Sequence, residues 1–190
     1  MPFADVHRAP LTVHPSTPCG TVRSLEVSVR IRKPGVLVLD YFLDADTSRL
    51  RIPGISPAAG AARRADELWK HTCFEAFVAP GTPPGYLELN FSPSTQWAAY
   101  RFSSYRAGVA PAANVALPEI SVDLSQRSLR LKSAMALGDL AALPGGSTLR
   151  VALAAVIEQE DGRLSYWSLR HAAGKPDFHH HDGFALEITT

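Results

Sequence analysis

Cysteine is scarce in this 190-residue chain: Cys19 and Cys73 stand alone, in neither a C-x-x-C pair nor a metal-ligand spacing. That excludes a disulfide framework and a zinc-finger type of site, and a reducing compartment would leave both as thiols. Cys73, beside Phe74 in a strand pattern, reads as a small buried hydrophobe. Long apolar runs are missing too, the longest (151–157) being far too short to span a bilayer as a helix. Charge of one sign does not accumulate either. Nineteen basic and eighteen acidic residues are scattered to a net charge of +1, so no basic stripe points to nucleic acid and no acidic tail to a disordered segment. The opening MPFADVHRAP has an early proline and an acid where a signal peptide carries basic residues and an apolar run, so the expected location is cytoplasmic. No G-x-S-x-G elbow, P-loop, dinucleotide glycine fingerprint or H-E-x-x-H occurs, and no internal repeat of fixed period. The sequence therefore names no cofactor and leans away from an enzyme.

What is present is alternation. The stretch 66–105 holds most of the aromatic residues, and with a period of two it gives strands over 72–78, 86–91 and 97–102. On the middle strand Leu87, Leu89 and Phe91 oppose Tyr86, Glu88 and Asn90, because successive side chains alternate across a pleated sheet. Phe74, Ala76 and Val78 oppose Cys73, Glu75 and Phe77, and Ala98, Tyr100 and Phe102 oppose Trp97, Ala99 and Arg101. Asp66 to Trp69 reads as one helical turn capped by Asp66.

Residues 1–24, rich in proline, read as an extended arm packed on a single domain over 25–190. LEVSVRI and VLVLDYFLDAD form a hairpin about Lys33-Pro34-Gly35, and EISVDLS and SLRLKSAMAL another. LGDLAALPGG reads as a brief helical turn, and the strands flanking Asp161-Gly162 make a further hairpin before the last strand, GFALEITT. The stretch 49–64 and the Ala/Pro/Gly-rich 106–118 are irregular connections, the second placed to cover a sheet face or to cross between sheets. The fold class is all-β: an antiparallel β-sandwich of about ten strands with little helix, a closed barrel being the nearest alternative.

LWKHTCFEAFV, YLELNFSPSTQWAAYRF, AAVIEQEDGRLSYWSLRH and GKPDFHHHDGF resemble the blocks of bacterial DOMON-like proteins. That group is similar in fold to the family 9 carbohydrate-binding modules and to haem-binding cytochrome domains. The resemblance implies a β-sandwich with a ligand slot built from tryptophans, charged residues and amides. By position it makes Trp69 the first platform tryptophan and Glu75 the hydroxyl acceptor, with Asn90 and Arg101 as polar partners by strand placement. Trp97 and Trp167 are the candidates for a second platform.

A sugar offers apolar C–H faces and a rim of hydroxyls, so flat rings below and charged or amide groups at the edge suit it. Trp69, Glu75, Asn90, Trp97, Arg101 and Trp167 could supply both, with the loop from His171 through Lys175 to His179 as a pocket wall. The structural alternative makes the tryptophans core anchors and Glu75 with Arg101 a buried pair. Haem is a second binding reading and would take Met135 with His71 or His171 as axial ligands. Glu75 and Glu88, on adjacent strands, could form a glycosidase-like acid/base pair. In the run His179-His180-His181-Asp182 alternation lets at most His179 and His181 face one ion, and a solvated loop is the reading preferred to a metal site. The expectation is a non-catalytic binder of a small polar ligand, a saccharide or sugar derivative, with no nucleic acid or membrane partner and the oligomeric state open.

Overall fold

Alternating strands with one apolar face can bury that face only against another sheet, and this chain builds two sheets to do so. The computed structural model describes residues 6–32, 35–54, 62–81, 85–112, 114–138, 140 and 146–189. The first sheet has five strands: β1 (His7–Pro10), β3 (Val22–Arg32), β4 (Val36–Ala45), β9 (Glu119–Leu124) and β10 (Ser128–Ala136), in the order β1-β3-β4-β10-β9. The second contains β2 (Thr12–Val13), β5 (Cys73–Pro80), β6 (Tyr86–Phe91), β7 (Trp97–Phe102), β8 (Ala110–Pro111), β11 (Thr148–Glu158) and β12 (Leu164–Ser168), in the order β2-β12-β11-β5-β6-β7-β8. Its eighth strand, β13 (Leu186–Thr189), pairs with the first part of β11, while β12 pairs with the last part. The architecture is thus an all-β two-sheet sandwich of thirteen strands among the described residues, with short 3-10 turns and no α-helix there. No helix of the described residues is long and apolar enough to cross a membrane.

The core lies between the sheets. Leu25, Val27, Val29 and Ile31 of β3 and Leu37, Leu39, Tyr41 and Leu43 of β4 meet Phe74, Leu89, Phe91 and the odd-numbered residues of β11. The Tyr41 hydroxyl crosses the core and donates to the Glu75 carbonyl at 2.7 Å, satisfying its own buried polar group and tying one sheet to the other. Met135 is packed in this core.

The predicted hairpins form as β3–β4, β9–β10 and β11–β12, and Gly35 and Gly162 have the positive φ their turns require. Lys33 and Pro34, residues 55–61 of the predicted irregular connection and most of the predicted turn in LGDLAALPGG lie outside the described residues. The predicted turn at 66–69 shifts by two residues. A 3-10 turn spans Leu68–Lys70, and the residue before it, Glu67, is left-handed with φ 61 and makes no side-chain cap. Asp66 is not the cap; its carboxylate accepts instead from the Tyr100 hydroxyl at 2.7 Å.

The second sheet is covered on both sides. All six residues of β6 are buried, Glu88 and Asn90 included, as a strand with one face in water would not allow. Above its outer face a second apolar cluster joins Phe77, Tyr86, Phe102 and Phe184, with Phe178 packed against it from the 171–183 segment. This second layer, resting on β5, β6 and β7, frames the site.

Candidate functional site

Register decides which side chains meet. Glu75 is paired with Asn90 and Phe77 with Glu88 across β5 and β6, while Asn90 is paired with Ala98 and Glu88 with Tyr100 across β6 and β7. Partners directly opposite in an antiparallel pair share a face, so Glu75, Glu88, Asn90 and Tyr100 all stand on the outer face of the second sheet. There Glu75, Glu88 and Tyr100 line a groove of about 370 Å³. Glu75 and Glu88 lie at its floor, Trp69, Tyr100, Phe102 and Tyr166 form the walls, and Arg106, Phe178 and His179 reach in from two loops.

The floor carries two carboxyl groups and is buried. Glu75 is 3% exposed, and its Oε1 is buried without a hydrogen-bond partner, as is Asn90 Oδ1. Asn90 Nδ2 donates to Glu88 Oε1 at 2.7 Å. Burial, reinforced by the neighbouring Glu88, pushes the Glu75 carboxyl well above the ordinary carboxylate range. Burial also raises Glu88, and the Asn90 amide and the Arg106 charge oppose that shift. A shift in this direction favours the protonated carboxyl, which can donate as well as accept and so suits a hydroxyl-bearing guest.

Two loops close one side. Arg106 Nη2 donates to Asp177 Oδ1 at 2.7 Å, the Tyr105 hydroxyl donates to Asp177 Oδ2, and the backbone N–H of His179 donates to Asp177 Oδ1 at 3.0 Å. Asp177 thus joins the 103–109 loop to the 171–183 segment. His179 stands among the rings of Phe77, Tyr86 and Phe102. Its Nδ1 is 2.8 Å from the Tyr86 hydroxyl, and its Nε2 is 3.6 Å from Glu88 Oε2. Desolvation, with the Arg106 charge adding to it, lowers its pKa to about 4, so the imidazole is neutral near pH 7.

Of the residues singled out from sequence, the structure brings Trp69, Glu75 and Asn90 to this face. Trp69 is 38% exposed on its 3-10 turn, with its ring centroid 6.0 Å from that of Tyr100 in a T-shaped arrangement. Trp97, Arg101 and Trp167 lie elsewhere, which corrects the expectation of one shared hollow. Trp97 is paired with Phe91, whose side chain is in the core, so Trp97 faces the core as well and is only 7% exposed. Trp167 is opposite Ala155 and also packs in the core, its indole N–H donating to Ser165 Oγ at 3.0 Å. Arg101 shares the parity of Trp97 but sits at the sheet margin, exposed beside a separate groove of about 700 Å³ that includes Leu137 and Leu140. Glu75 and Arg101 are therefore not a buried pair. His171 Nε2 is 2.8 Å from the Thr12 carbonyl, and Lys175 is exposed next to Pro176 of the groove rim.

Phe178 and His179 belong to the loop expected as a pocket wall and do line the groove, whereas Tyr100, Phe102, Arg106 and Tyr166 are not among the predicted ligand contacts. For Tyr100 and Phe102 a signal existed, since both alternate with Trp97 and Arg101. For Arg106 there is none beyond its place at the start of the 106–118 connection.

Two other groupings have metal or haem chemistry. His180, His181 and Asp182 gather their ligand atoms within 4.8 Å of one another and could hold an ion at the surface. Of the pair that alternation allows, His179 and His181, only His181 belongs to this group, because His179 turns inward to Tyr86 and Glu88. Of the residues considered for haem, Met135 is in the core, while His71 Nδ1 is 2.7 Å from Glu158 Oε2 and His171 is bonded to Thr12.

No protein-family model matches this chain, and no curated protein matches it in sequence. Solved structures do match. One is a protein of Bacteroides uniformis ATCC 8492 provisionally assigned as carbohydrate-binding: 16% identity, 97% of this chain and 86% of that chain covered, TM-score 0.67. Another is a family 9 carbohydrate-binding module of Caldicellulosiruptor kristjanssonii in complex with glucose: 10% identity, 92% of this chain and 84% of that chain, TM-score 0.51. Identities this low speak for architecture alone, and the chain has the two-sheet β-sandwich fold of these proteins.

Proposed function

We propose that this protein is a DOMON-like, non-catalytic binding domain whose outer-face groove takes a small polar ligand, a saccharide or sugar derivative. Trp69 is the stacking platform. Glu75 and Glu88 meet the hydroxyl rim, and Asn90 holds Glu88 in place through its 2.7 Å hydrogen bond. The observation that carries this reading is the unpartnered Glu75 Oε1 at the floor of an aromatic-walled groove. Leaving a buried polar group unpaired costs about 1–3 kcal/mol, and a ligand hydroxyl would recover that together with a hydrogen bond of similar size. The other unpartnered buried groups among the described residues include Trp97 Nε1 and Ser133 Oγ, which lie away from this groove. The fold shared with a glucose-bound module supports a sugar as the guest.

The test is a panel of mono- and disaccharides read by tryptophan fluorescence and by the shift in melting temperature, since a ligand that binds only the folded state stabilises it. A saturable response that is lost in both Trp69→Ala and Glu75→Ala establishes the site. A response that survives both substitutions places the ligand elsewhere and overturns it.

A further inference from the structure

The groove floor carries two carboxyl groups, and the basic groups around it are already engaged. Arg106 is paired with Asp177 at 2.7 Å. His179 is bonded to the Tyr86 hydroxyl, and Arg64 lies over the rings of Trp97 and Tyr100 while donating to the Ala99 carbonyl. Among the described residues no uncommitted cation lines the groove. Glu75 Oε1, almost wholly buried, has no partner at all. The walls are the rings of Trp69, Tyr100 and Tyr166, whose π faces attract cations. Two buried carboxyl groups below aromatic walls are complementary to a positively charged guest, because either can ionise opposite an ammonium and attraction between opposite charges is stronger there than in bulk water.

We propose that the groove selects a ligand bearing an ammonium group, an amino sugar within the saccharide reading, seated over Glu75 and Glu88 and against the aromatic walls. The sugar half of this inference rests on the proposed function; the ammonium half does not. The titratable groups around Glu75 fix how binding responds to protons: Cys73 on its own strand, Tyr41 of β4 from the core side, Glu88 from β6, Tyr100 from β7, Tyr166 from β12, and Arg106 and His179 from the loops. An arriving cation favours the ionised carboxyl that burial disfavours, so binding releases a proton from the floor.

Calorimetry on the full chain at a pH of about 6.5, where an amino sugar is protonated, compares glucosamine, glucose, N-acetylglucosamine and tetramethylammonium. The expected result is glucosamine binding at least about tenfold more tightly than both neutral sugars. Its heat should vary with the ionisation enthalpy of the buffer in the sense of proton release, and Glu75→Gln should shrink the preference to under about threefold. Glucose or N-acetylglucosamine binding as tightly as glucosamine overturns the ammonium inference and leaves the sugar reading standing. Tetramethylammonium binding with no response to any sugar does the reverse, and silence from all four overturns both.

Discussion

Glu75 and Asn90 face each other across β5 and β6, and each holds a buried oxygen with no hydrogen-bond partner. A fold selected only for stability would fill these positions with apolar side chains, so the pair is a cost borne for another purpose. That cost depends on pH. The folded-state pKa of Glu75 is raised, so its contribution to stability is fully present below the unfolded value of about 4.3 and is lost as pH rises towards the folded value. The loss is about 1.4 kcal/mol for each pH unit crossed. Glu75→Gln removes the ionisable group with little change of shape. We expect it to melt higher than the parent at pH 7, by roughly 2–4 °C for each kcal/mol relieved in a domain of this size. The advantage should vanish near pH 4 in parallel thermal melts. A variant that melts lower than the parent at neutral pH would show that the carboxylate is satisfied in the fold.

His179 gives the opposite slope. Its pKa falls to about 4 in the fold against about 6.5 unfolded, so its contribution is complete above the unfolded value and is lost as pH falls through that interval. The interval of about 2.5 units corresponds to at most about 3 kcal/mol. His179→Gln should therefore flatten the acid limb of the stability profile between about pH 6.5 and 4. In the parent protein, the imidazole proton resonances of His179 should stay at their neutral positions down to about pH 5. A midpoint near 6.5 would mean that the ring is hydrated and the groove wall open.

Much of the sandwich was legible because strand alternation is a local property: the strands at 86–91 and 97–102, the turn at Asp161-Gly162 and the buried role of Cys73 follow from residue types alone. The site was half legible. Splitting β7 into Trp97 with Arg101 and Tyr100 with Phe102 was correct, but which half shares a face with Glu75 is set by the β6–β7 register. Both halves contain large aromatic residues, so composition gave the wrong preference. The loops are legible only as segments, 171–179 as a wall and 106–118 as a cover or crossing, and the contact between them is not. Arg106 and Asp177 are 71 residues apart, and nothing in either segment announces the other.

Asp177 should govern the groove wall more than the fold. Its carboxylate gathers Tyr105, Arg106 and the His179 N–H, and Arg106 is half exposed, so this ion pair contributes on the surface scale of about 1 kcal/mol or less. Asp177→Ala should lower the melting temperature by no more than about 2–4 °C. Hydrogen exchange in 103–109 and 176–180 should rise while the amides of β5 and β6 stay protected. Ligand affinity should drop by about tenfold, because a loosened wall must be ordered again on binding. Exchange rates in 103–109 matching those of the parent would show that the two loops hold themselves in place separately.

The three tryptophans should divide sharply between binding and stability. Trp69 is the exposed member, set against Tyr100 at the groove, whereas Trp97 and Trp167 are packed between the sheets. Truncating a core tryptophan costs about 3–5 kcal/mol, since it removes a large buried surface and leaves a cavity. Trp97→Ala and Trp167→Ala should consequently fold poorly or melt at least about 6 °C lower. Trp69→Ala should melt within about 2 °C of the parent and lose ligand binding by more than about tenfold, as expected when a stacking ring is removed from a solvent-facing position. In the parent, acrylamide should quench chiefly the Trp69 emission, and bound ligand should protect it. Trp69→Ala with full affinity would remove the platform from the binding scheme, whereas an intact fold in Trp97→Ala would mean that the core closes over the lost indole.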